Sequence, residues 1–177
     1  MPELVAVKAK IRTIPDFPKP GILFRDITPV LQDPHSFHEA CEALVAYCMQ
    51  RDPDVIVAVE SRGLIFGAVV AHELAASFVP VRKPGKLPFK TYEVEYALEY
   101  GTDAVAMHQD AIEAGQKVVI IDDLLATGGT AAATAQLVEK AGGEVVGLAF
   151  LIELLPLRGR AKLEGYNVVS FVRYQEA

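Results

Sequence analysis

The stretch VVIIDDLLATGGTAAATAQLVEK, residues 118–140, joins an apolar run to a helical pattern through a loop that contains Gly-Gly-Thr. The run at residues 117–121 is short and rich in Val and Ile, which is typical of a strand buried on both faces. Residues 130–141 have helical composition, and the Gly142-Gly143 pair that follows is a common helix end. The stretch therefore predicts a strand, a loop and a helix in that order.

The same alternation extends along the chain on both sides of this unit. Residues 55–59 form another short apolar run, and residues 63–77 after it have helical composition. Further strand-like runs occupy residues 79–82, 145–152 and 168–172. Short buried strands that alternate with helices predict an α/β fold with a central, mostly parallel sheet flanked by helices. In such folds the ligand site lies at the carboxyl ends of the strands.

Length and composition indicate one folded domain that spans residues 1–177. Of the 177 residues, 51% are hydrophobic and 23% are charged, so the chain has enough apolar side chains to bury a core. The 17 basic and 23 acidic residues give a net charge of −6. This charge argues against broad non-specific binding to nucleic acid, although it leaves room for a local basic pocket.

A soluble, cytoplasmic protein without membrane contacts is expected from two further features. The longest nearly apolar region is interrupted by His72 and Glu73, so no membrane span is predicted. Cys41 and Cys48 lie two helical turns apart, too far to bridge each other if both are on one helix. They are interpreted as buried thiols in a reducing compartment.

Three segments are expected to lie outside the sheet. Residues 14–34 contain too many prolines for a helix or a central strand and are interpreted as part of an ordered cover, or hood, over about residues 1–34. Residues 82–101 are rich in Pro, Gly, Lys and Tyr, which predicts a flexible hairpin or lid. The sequence LRGRAKLEG, residues 157–165, is expected to form a solvated helix or turn.

Residues 126–130 predict a site for a phosphate group. They lie where a loop meets the start of a helix, whose free backbone N–H groups attract anions. Gly128 and Gly129 allow the backbone to approach an anion closely, and the hydroxyls of Thr127 and Thr130 add hydrogen-bond donors. The sequence has neither a Walker loop nor the glycine pattern of dinucleotide-binding folds, so those two classes are set aside.

Two acids, Asp122 and Asp123, stand between the strand-like run and this loop. Consecutive strand residues point to opposite faces, so we expect the strand to end before the two acids if both serve one site. A carboxylate repels a phosphate charge by about 1 kcal/mol at about 4 Å even in water. The pair is therefore expected to meet sugar hydroxyls or a divalent cation, the simpler alternative being that it only ends a strand in solvent.

These residues resemble the phosphoribosyl pyrophosphate (PRPP) signature of type I phosphoribosyltransferases. The similarity continues in PDFPKPGILFRDITPVL at residues 15–31, ESRGLIFG at 60–67, VPVRKPGKLP at 79–88 and LEYG at 98–101. Within the family, DDLLATGGT is similar to the enzymes that act on adenine. The resemblance implies the type I phosphoribosyltransferase fold, with a small N-terminal hood and a flexible lid. It also implies transfer of phosphoribose from PRPP to adenine, which yields AMP and pyrophosphate.

The resemblance implies site residues in each motif. The ribose and the 5-phosphate would be bound by Asp122, Asp123, Leu124, Leu125, Ala126, Thr127, Gly128, Gly129 and Thr130. Pyrophosphate would be bound by Glu60, Ser61, Arg62, Gly63, Arg82, Lys83, Lys86 and Tyr100. Adenine would be contacted by Leu23, Phe24, Arg25, Leu124 and Glu99. The catalytic residues would be Glu99, Arg62 and Lys83.

The resemblance also implies how some of these residues act. Phe24 and Leu124 would enclose the base, while Glu99 would orient adenine and handle the proton at N7, and Tyr100 would help to close the lid. Mg²⁺ is the expected cofactor, held mainly through PRPP and not directly by the protein. A homodimer is expected, in which Arg82 reaches across the interface.

Two alternatives share the PRPP loop. One is a phosphoribosyltransferase for hypoxanthine, guanine or xanthine, which conflicts with the LFRD and LEYG motifs. The other is a PRPP-sensing regulator that binds nucleic acid, which would need an added DNA-binding region or a broad basic face. A chain of 177 residues with a net charge of −6 has neither feature.

Overall fold

The computed structural model describes residues 3–97 and 101–176 of the chain. The first part forms a small hood from helix α1 (Val5–Lys10), strands β1 (Arg12–Pro15) and β2 (Leu23–Asp26), and the one-turn helix α2 (Thr28–Gln32). Strands β1 and β2 pair antiparallel. The segment expected to be a proline-rich cover loop therefore contains regular elements. Its prolines lie at the end of β1, in the connecting loop and in the first turn of α2. At these positions a missing N–H is tolerated.

The remainder of the chain alternates strands and helices. Its helices are α3 (Pro34–Met49), α4 (Gly63–Leu74) and α5 (Gly129–Lys140). Its strands are β3 (Val55–Val59), β4 (Ser77–Val81), β5 (Thr91–Ala97), β6 (Thr102–His108), β7 (Lys117–Leu125), β8 (Glu144–Leu154) and β9 (Val168–Tyr174). Asp33 caps the start of helix α3, where the Ser36 N–H donates to Asp33 Oδ1 over 2.8 Å.

A five-stranded parallel sheet with the order β4-β3-β7-β8-β9 forms the centre of the molecule, which confirms the predicted fold class. Alternate residues of each strand face two separate cores. Val119 and Ile121 pack with α3 and α4, whereas Val118 and Ile120 pack with α5 and with the β5–β6 hairpin. Both faces are thus covered, which is why the strands are continuous apolar runs.

Strand β7 is longer than the sequence predicts. The expectation that the strand ends before Asp122 and Asp123 is wrong, because β7 continues to Leu125. On one side β7 pairs with β3 only as far as Ile121, whereas on the other side it pairs with β8 up to Leu125. The end of β7 thus projects beyond β3 on that side, and both acids line the same cavity although they are consecutive strand residues.

Strand β5 lies in the segment interpreted as a lid, residues 82–101, and pairs antiparallel with β6, which begins directly after that segment. An isolated bridge between Arg82 and Ala106 joins the hairpin to the end of β4. Glu99 and Tyr100 lie outside the described residues. In the part of the chain that the structure describes, no helix is both long enough and apolar enough to cross a membrane.

The segment LRGRAKLEG, expected to form a solvated helix or turn, is helical in part but is not fully solvated. It contains a short 3₁₀ helix, Gly159–Leu163, in which Gly159 and Leu163 are buried. The two cysteines are free and buried as predicted, and burial raises the pKa of Cys41 to about 11 and that of Cys48 to about 12. Both thiols are therefore protonated and unreactive at neutral pH.

Candidate active site

A cavity of about 430 Å³ lies at the carboxyl ends of β3, β4 and β7. This is the edge of the sheet at which the sequence predicts the ligand site. The cavity brings together many of the predicted site residues, namely Glu60, Ser61, Arg62, Arg82, Lys83, Asp122, Asp123, Leu124, Ala126 and Thr130. Residues from three separate motifs therefore meet in one place.

A smaller recess of about 70 Å³ adjoins the large cavity and is lined by Asp122 and by residues 124–131. Its wall is the loop before α5, where Gly128 has a φ of 78° and the helix starts at Gly129. The first backbone N–H groups of a helix have no partners within it, so they form a natural anion site. The geometry matches the predicted phosphate loop.

Arg62 and Asp123 form the central ion pair of the cavity. Arg62 Nε donates to Asp123 Oδ2 over 2.6 Å, and Asp123 is only 5% exposed. The guanidinium of Arg62 also lies 5.2 Å from the centroid of the Phe24 ring in the hood. Arg62 thus connects the acidic end of β7 with the residue predicted to contact the base.

Asp122 has a different environment from Asp123. Its Oδ1 accepts the backbone N–H of Asp123 over 2.8 Å, and a Cβ added at Gly63 would lie 2.7 Å from the same oxygen. Burial and the charge of Asp123 raise the pKa of Asp122 well above its usual value. Gly63 is therefore required for its lack of a side chain. Ionisation of Asp122 is unfavourable in the folded protein.

Replacing Asp122 by asparagine is expected to increase the free energy of unfolding at pH 7. The pKa of Asp122 is higher in the folded state than in the unfolded state, so the folded state holds the proton more tightly. The free energy of unfolding therefore falls as the pH rises from the unfolded-state pKa to the folded-state pKa. Asparagine removes the charge and keeps the acceptor for Asp123 N–H. The gain should be on the order of 1 kcal/mol, the repulsion between neighbouring carboxylates.

Urea denaturation at pH 7 and pH 4 would measure this effect. The gain should shrink at pH 4, where the wild-type carboxyl is protonated in the folded state. The matched control is Asp52→Asn, whose side chain is 94% exposed and lies in the loop before β3, away from the cavity. An equal gain at the two pH values, or none at pH 7, would contradict the role of Asp122.

Glu60 organises the basic side of the cavity. Its Oε2 accepts from Arg82 Nε over 2.8 Å, and its Oε1 accepts from the backbone N–H of Lys83 over 2.5 Å. Although burial opposes ionisation, these hydrogen bonds hold the pKa of Glu60 below its usual value. The carboxylate is therefore engaged with protein donors and fixes the positions of Arg82 and Lys83.

A hydrogen-bonded chain crosses the cavity from the basic side to the phosphate loop. The ammonium of Lys83 forms an ion pair with Asp103, which is on β6. Tyr96 on β5 donates its hydroxyl to Asp103 Oδ2 over 3.1 Å and accepts from Thr130 Oγ1 over 3.0 Å. Tyr96 and Asp103 could not be found as site residues from the sequence, because their contacts depend on how the hairpin packs.

The sequence profile described as "Phosphoribosyl transferase domain" matches residues 30–175. The chain belongs to this family. It is 55% identical over 170 residues to a curated adenine phosphoribosyltransferase of Methanococcus vannielii, with 96% of this chain and 98% of the relative covered. These matches confirm the resemblance found in the sequence.

Solved structures of phosphoribosyltransferases have the same fold as this chain. The adenine phosphoribosyltransferase of Thermoanaerobacter pseudethanolicus superposes with a TM-score of 0.94 at 54% identity, covering 97% of this chain and 99% of that one. The Saccharomyces cerevisiae enzyme, in complex with an imino-altritol bisphosphate and adenine, gives 0.90 at 38% identity, covering 94% and 97%. The predicted class of enzyme is thus confirmed.

Some residues predicted for the phosphoribosyltransferase site lie beside the large cavity and do not line it. Lys86 is exposed, and its backbone carbonyl accepts from Arg82 Nη1 over 3.2 Å. Phe24 on β2 packs edge-on against Phe17, with 5.1 Å between the ring centroids. The buried Arg25 guanidinium lies 3.9 Å from the Tyr174 ring centroid, so Arg25 can meet a base only through its backbone.

The phosphate loop of this phosphoribosyltransferase also has a support that sequence reasoning missed. A Cβ added at Gly128 would lie 2.3 Å from the carbonyl oxygen of Gly159, and one added at Gly159 would lie 2.3 Å from that of Ala126. The two backbones therefore pack directly on each other. The only signal in the sequence is an unexplained glycine within LRGRAKLEG.

An ion pair between the half-exposed Arg160 and the buried Glu153 holds this supporting segment in place. Arg160 donates to both carboxylate oxygens of Glu153, over 2.7 and 2.8 Å, and to the carbonyl of Val168 over 2.8 Å. Glu153 is 3% exposed, and Ser170 also donates to it. Although burial opposes ionisation, these bonds hold the pKa of Glu153 below its usual value. The pair anchors the residue next to Gly159 to β8 and β9.

Proposed function

We propose that this phosphoribosyltransferase transfers phosphoribose from PRPP to adenine, releasing AMP and pyrophosphate. The observation that carries the proposal is the position of the Asp122–Asp123 pair. Both acids line the large cavity together with Arg62 and Lys83, and Asp122 also lines the recess formed by the phosphate loop. A ribose with a phosphate at one end and a pyrophosphate at the other has the matching order of groups.

The sugar and its 5-phosphate occupy the end of β7 and the loop after it in this proposal. Backbone N–H groups of residues 126–130 and the hydroxyls of Thr127 and Thr130 donate to the phosphate oxygens. Asp122 and Asp123 accept hydrogen bonds from the ribose 2- and 3-hydroxyls. Leu124 and Leu125 supply the remaining backbone between the acids and the loop.

Catalysis in this proposal rests on charge and positioning. The bond from the anomeric carbon to pyrophosphate breaks ahead of the formation of the bond to adenine N9, so the sugar carries positive charge between the two events. Arg62 and Lys83 neutralise the leaving pyrophosphate, and Asp122 and Asp123 stabilise the positive sugar. Ser61 and Gly63 flank Arg62 and bring backbone groups to the same anion. A covalent nucleophile is not required.

The base in this proposal lies between Phe24 and Leu124, with the backbone of Leu23 and Arg25 along its polar edge. Glu99 orients adenine and handles the N7 proton, and Tyr100 closes over the pyrophosphate. The flanking hairpin supports this assignment, since the strands on either side of residues 98–100 each contribute a residue to the cavity wall.

Magnesium is proposed as the cofactor, bound mainly through PRPP. Within residues 3–97 and 101–176, no three Asp, Glu, His or Cys side chains are grouped so that they could hold a metal ion. Mg²⁺ usually keeps several waters and binds through substrate phosphates, so PRPP itself would supply most of its ligands. When bound, the ion supplies positive charge that offsets the charge of pyrophosphate.

Location and assembly complete the proposal. We place the enzyme in the cytoplasm as a homodimer, with Arg82 reaching across the subunit interface and Lys86 near the pyrophosphate. This part rests on the resemblance of the VPVRKPGKLP motif to the family pattern. Within this chain Arg82 is paired with Glu60, which would hold it in a defined position.

Incubation with PRPP and one purine base at a time tests the proposed reaction. AMP and pyrophosphate should form with adenine and Mg²⁺, and the rate should fall sharply when Mg²⁺ is chelated by EDTA. Hypoxanthine, guanine and xanthine serve as matched controls. Equal or faster turnover of one of these bases would assign the enzyme to a different purine, and no turnover of any base would contradict the proposal.

A further inference from the structure

Lys83 is already neutralised by a carboxylate of its own chain. Its ammonium pairs with Asp103, and both side chains line the large cavity. Under the proposed function, on which this inference rests, Lys83 neutralises pyrophosphate. An anionic ligand that recruits Lys83 must therefore compete with Asp103 for the same ammonium group.

Asp103 is the more firmly held partner of the ion pair. Its Oδ2 accepts the hydroxyl of Tyr96 over 3.1 Å, and its Oδ1 accepts the N–H of Ala104 over 2.8 Å. The hydrogen bond from Lys83, together with these donors, holds the pKa of Asp103 below its usual value, so Asp103 is charged at neutral pH. Lys83, by contrast, carries its ammonium on a flexible four-carbon stem with rotatable donors.

The ion pair is weak enough to be exchanged. The side chains of Lys83 and Asp103 are 47% and 29% exposed, and pairs this close to solvent contribute little to stability. A pyrophosphate carries several charged oxygens, which bind an ammonium more strongly than one carboxylate does. After the exchange, Asp103 stays in the cavity wall with its charge close to the anion.

We infer that Asp103 is a displaceable counter-ion that holds Lys83 in the free enzyme and weakens the binding of pyrophosphate. It is a positioning residue for Lys83, not a group that reacts. Two consequences follow for the reaction. Lys83 is placed at the cavity before PRPP arrives, and the pyrophosphate product is released more readily because Asp103 takes Lys83 back.

The test is the affinity of Asp103→Asn for inorganic pyrophosphate and for AMP, measured by calorimetry with Mg²⁺ held constant. Asparagine keeps an acceptor for Tyr96 and Ala104 but carries no charge. Pyrophosphate should bind about fivefold more tightly, as expected when one repulsive charge is removed, and AMP binding should be unchanged. In steady-state kinetics KM for PRPP should fall while kcat does not rise.

Two controls separate charge from structure. Glu95→Gln removes one negative charge from the same hairpin at a residue outside this cavity, so its pyrophosphate affinity should equal that of the wild type. Tyr96→Phe removes a hydrogen bond to Asp103 without changing charge, so it should not tighten pyrophosphate binding. Asp103→Ser, also uncharged, provides a second variant in case the asparagine protein does not fold.

Unchanged or weaker pyrophosphate binding in the uncharged variants would overturn the inference. An equal change for AMP and pyrophosphate would also overturn it, because a general structural effect moves both ligands together. Wild-type protein that binds neither ligand would instead contradict the proposed function. The two failures are therefore distinguishable in one set of titrations.

Discussion

Replacing Arg62 by alanine is expected to lower kcat/KM for AMP formation by about 10²- to 10³-fold, the effect of removing one charge-stabilising donor from an active site. Arg62 is the cation next to the acidic end of β7, since its Nε lies 2.6 Å from Asp123 Oδ2. Without it, the leaving pyrophosphate loses a planar, bidentate partner. The loss should appear mainly in kcat.

The Arg62→Ala protein should also be less stable, because Asp123 is left buried without its partner. Kinetic constants are therefore compared at a temperature at which both proteins are folded, as monitored by circular dichroism. Arg62→Lys keeps the charge but not the planar fork, so its loss should be intermediate. Lys117→Ala removes one positive charge at the start of β7, at the end of the strand away from the cavity, and should leave kcat/KM unchanged. An Arg62→Ala enzyme within threefold of wild type would contradict the assigned role.

The position of the candidate site could be predicted because many of its residues form short continuous motifs. Residues 126–130 have the composition of a phosphate loop, and Asp122 and Asp123 precede them directly in the chain. The parallel sheet could be predicted for a similar reason. A strand buried on both faces is a continuous apolar run, and residues 55–59 and 117–121 have this pattern.

Features that depend on distant parts of the chain could not be predicted. The sequence places the end of β7 before Asp122, whereas pairing with β8 extends the strand to Leu125. The ion pair between Lys83 and Asp103 depends on how the hairpin packs against the end of β4, which no local pattern records. The hood strands could not be predicted either, since proline weakens a strand pattern that a two-stranded edge tolerates.

Gly159 makes another contact between distant parts of the chain, because it packs against the phosphate loop. Its replacement by alanine is expected to weaken the binding of AMP and PRPP by about ten- to a hundredfold. A Cβ at this position would lie 2.3 Å from the carbonyl oxygen of Ala126 and 2.9 Å from Leu125 Cδ1. The contact with Ala126 is to backbone, so the loop itself must move. Overpacking of this kind costs about 1–3 kcal/mol, and here the cost falls on the loop that holds the 5-phosphate.

Calorimetry with AMP and with inorganic pyrophosphate would locate the effect of Gly159→Ala. AMP carries the 5-phosphate, whereas pyrophosphate is proposed to bind near Arg62 and Lys83, so only AMP binding should weaken strongly. Gly165→Ala is the matched control, because Gly165 has a φ of 91° and an added Cβ would meet no atom within 4 Å. That variant should lose about 1–2 kcal/mol of stability from its left-handed backbone and bind AMP normally. If Gly159→Ala bound AMP as tightly as the wild type, the segment at residues 157–165 would not shape the phosphate loop. The expected loss of affinity would instead extend the phosphate site to a part of the chain without a recognised motif.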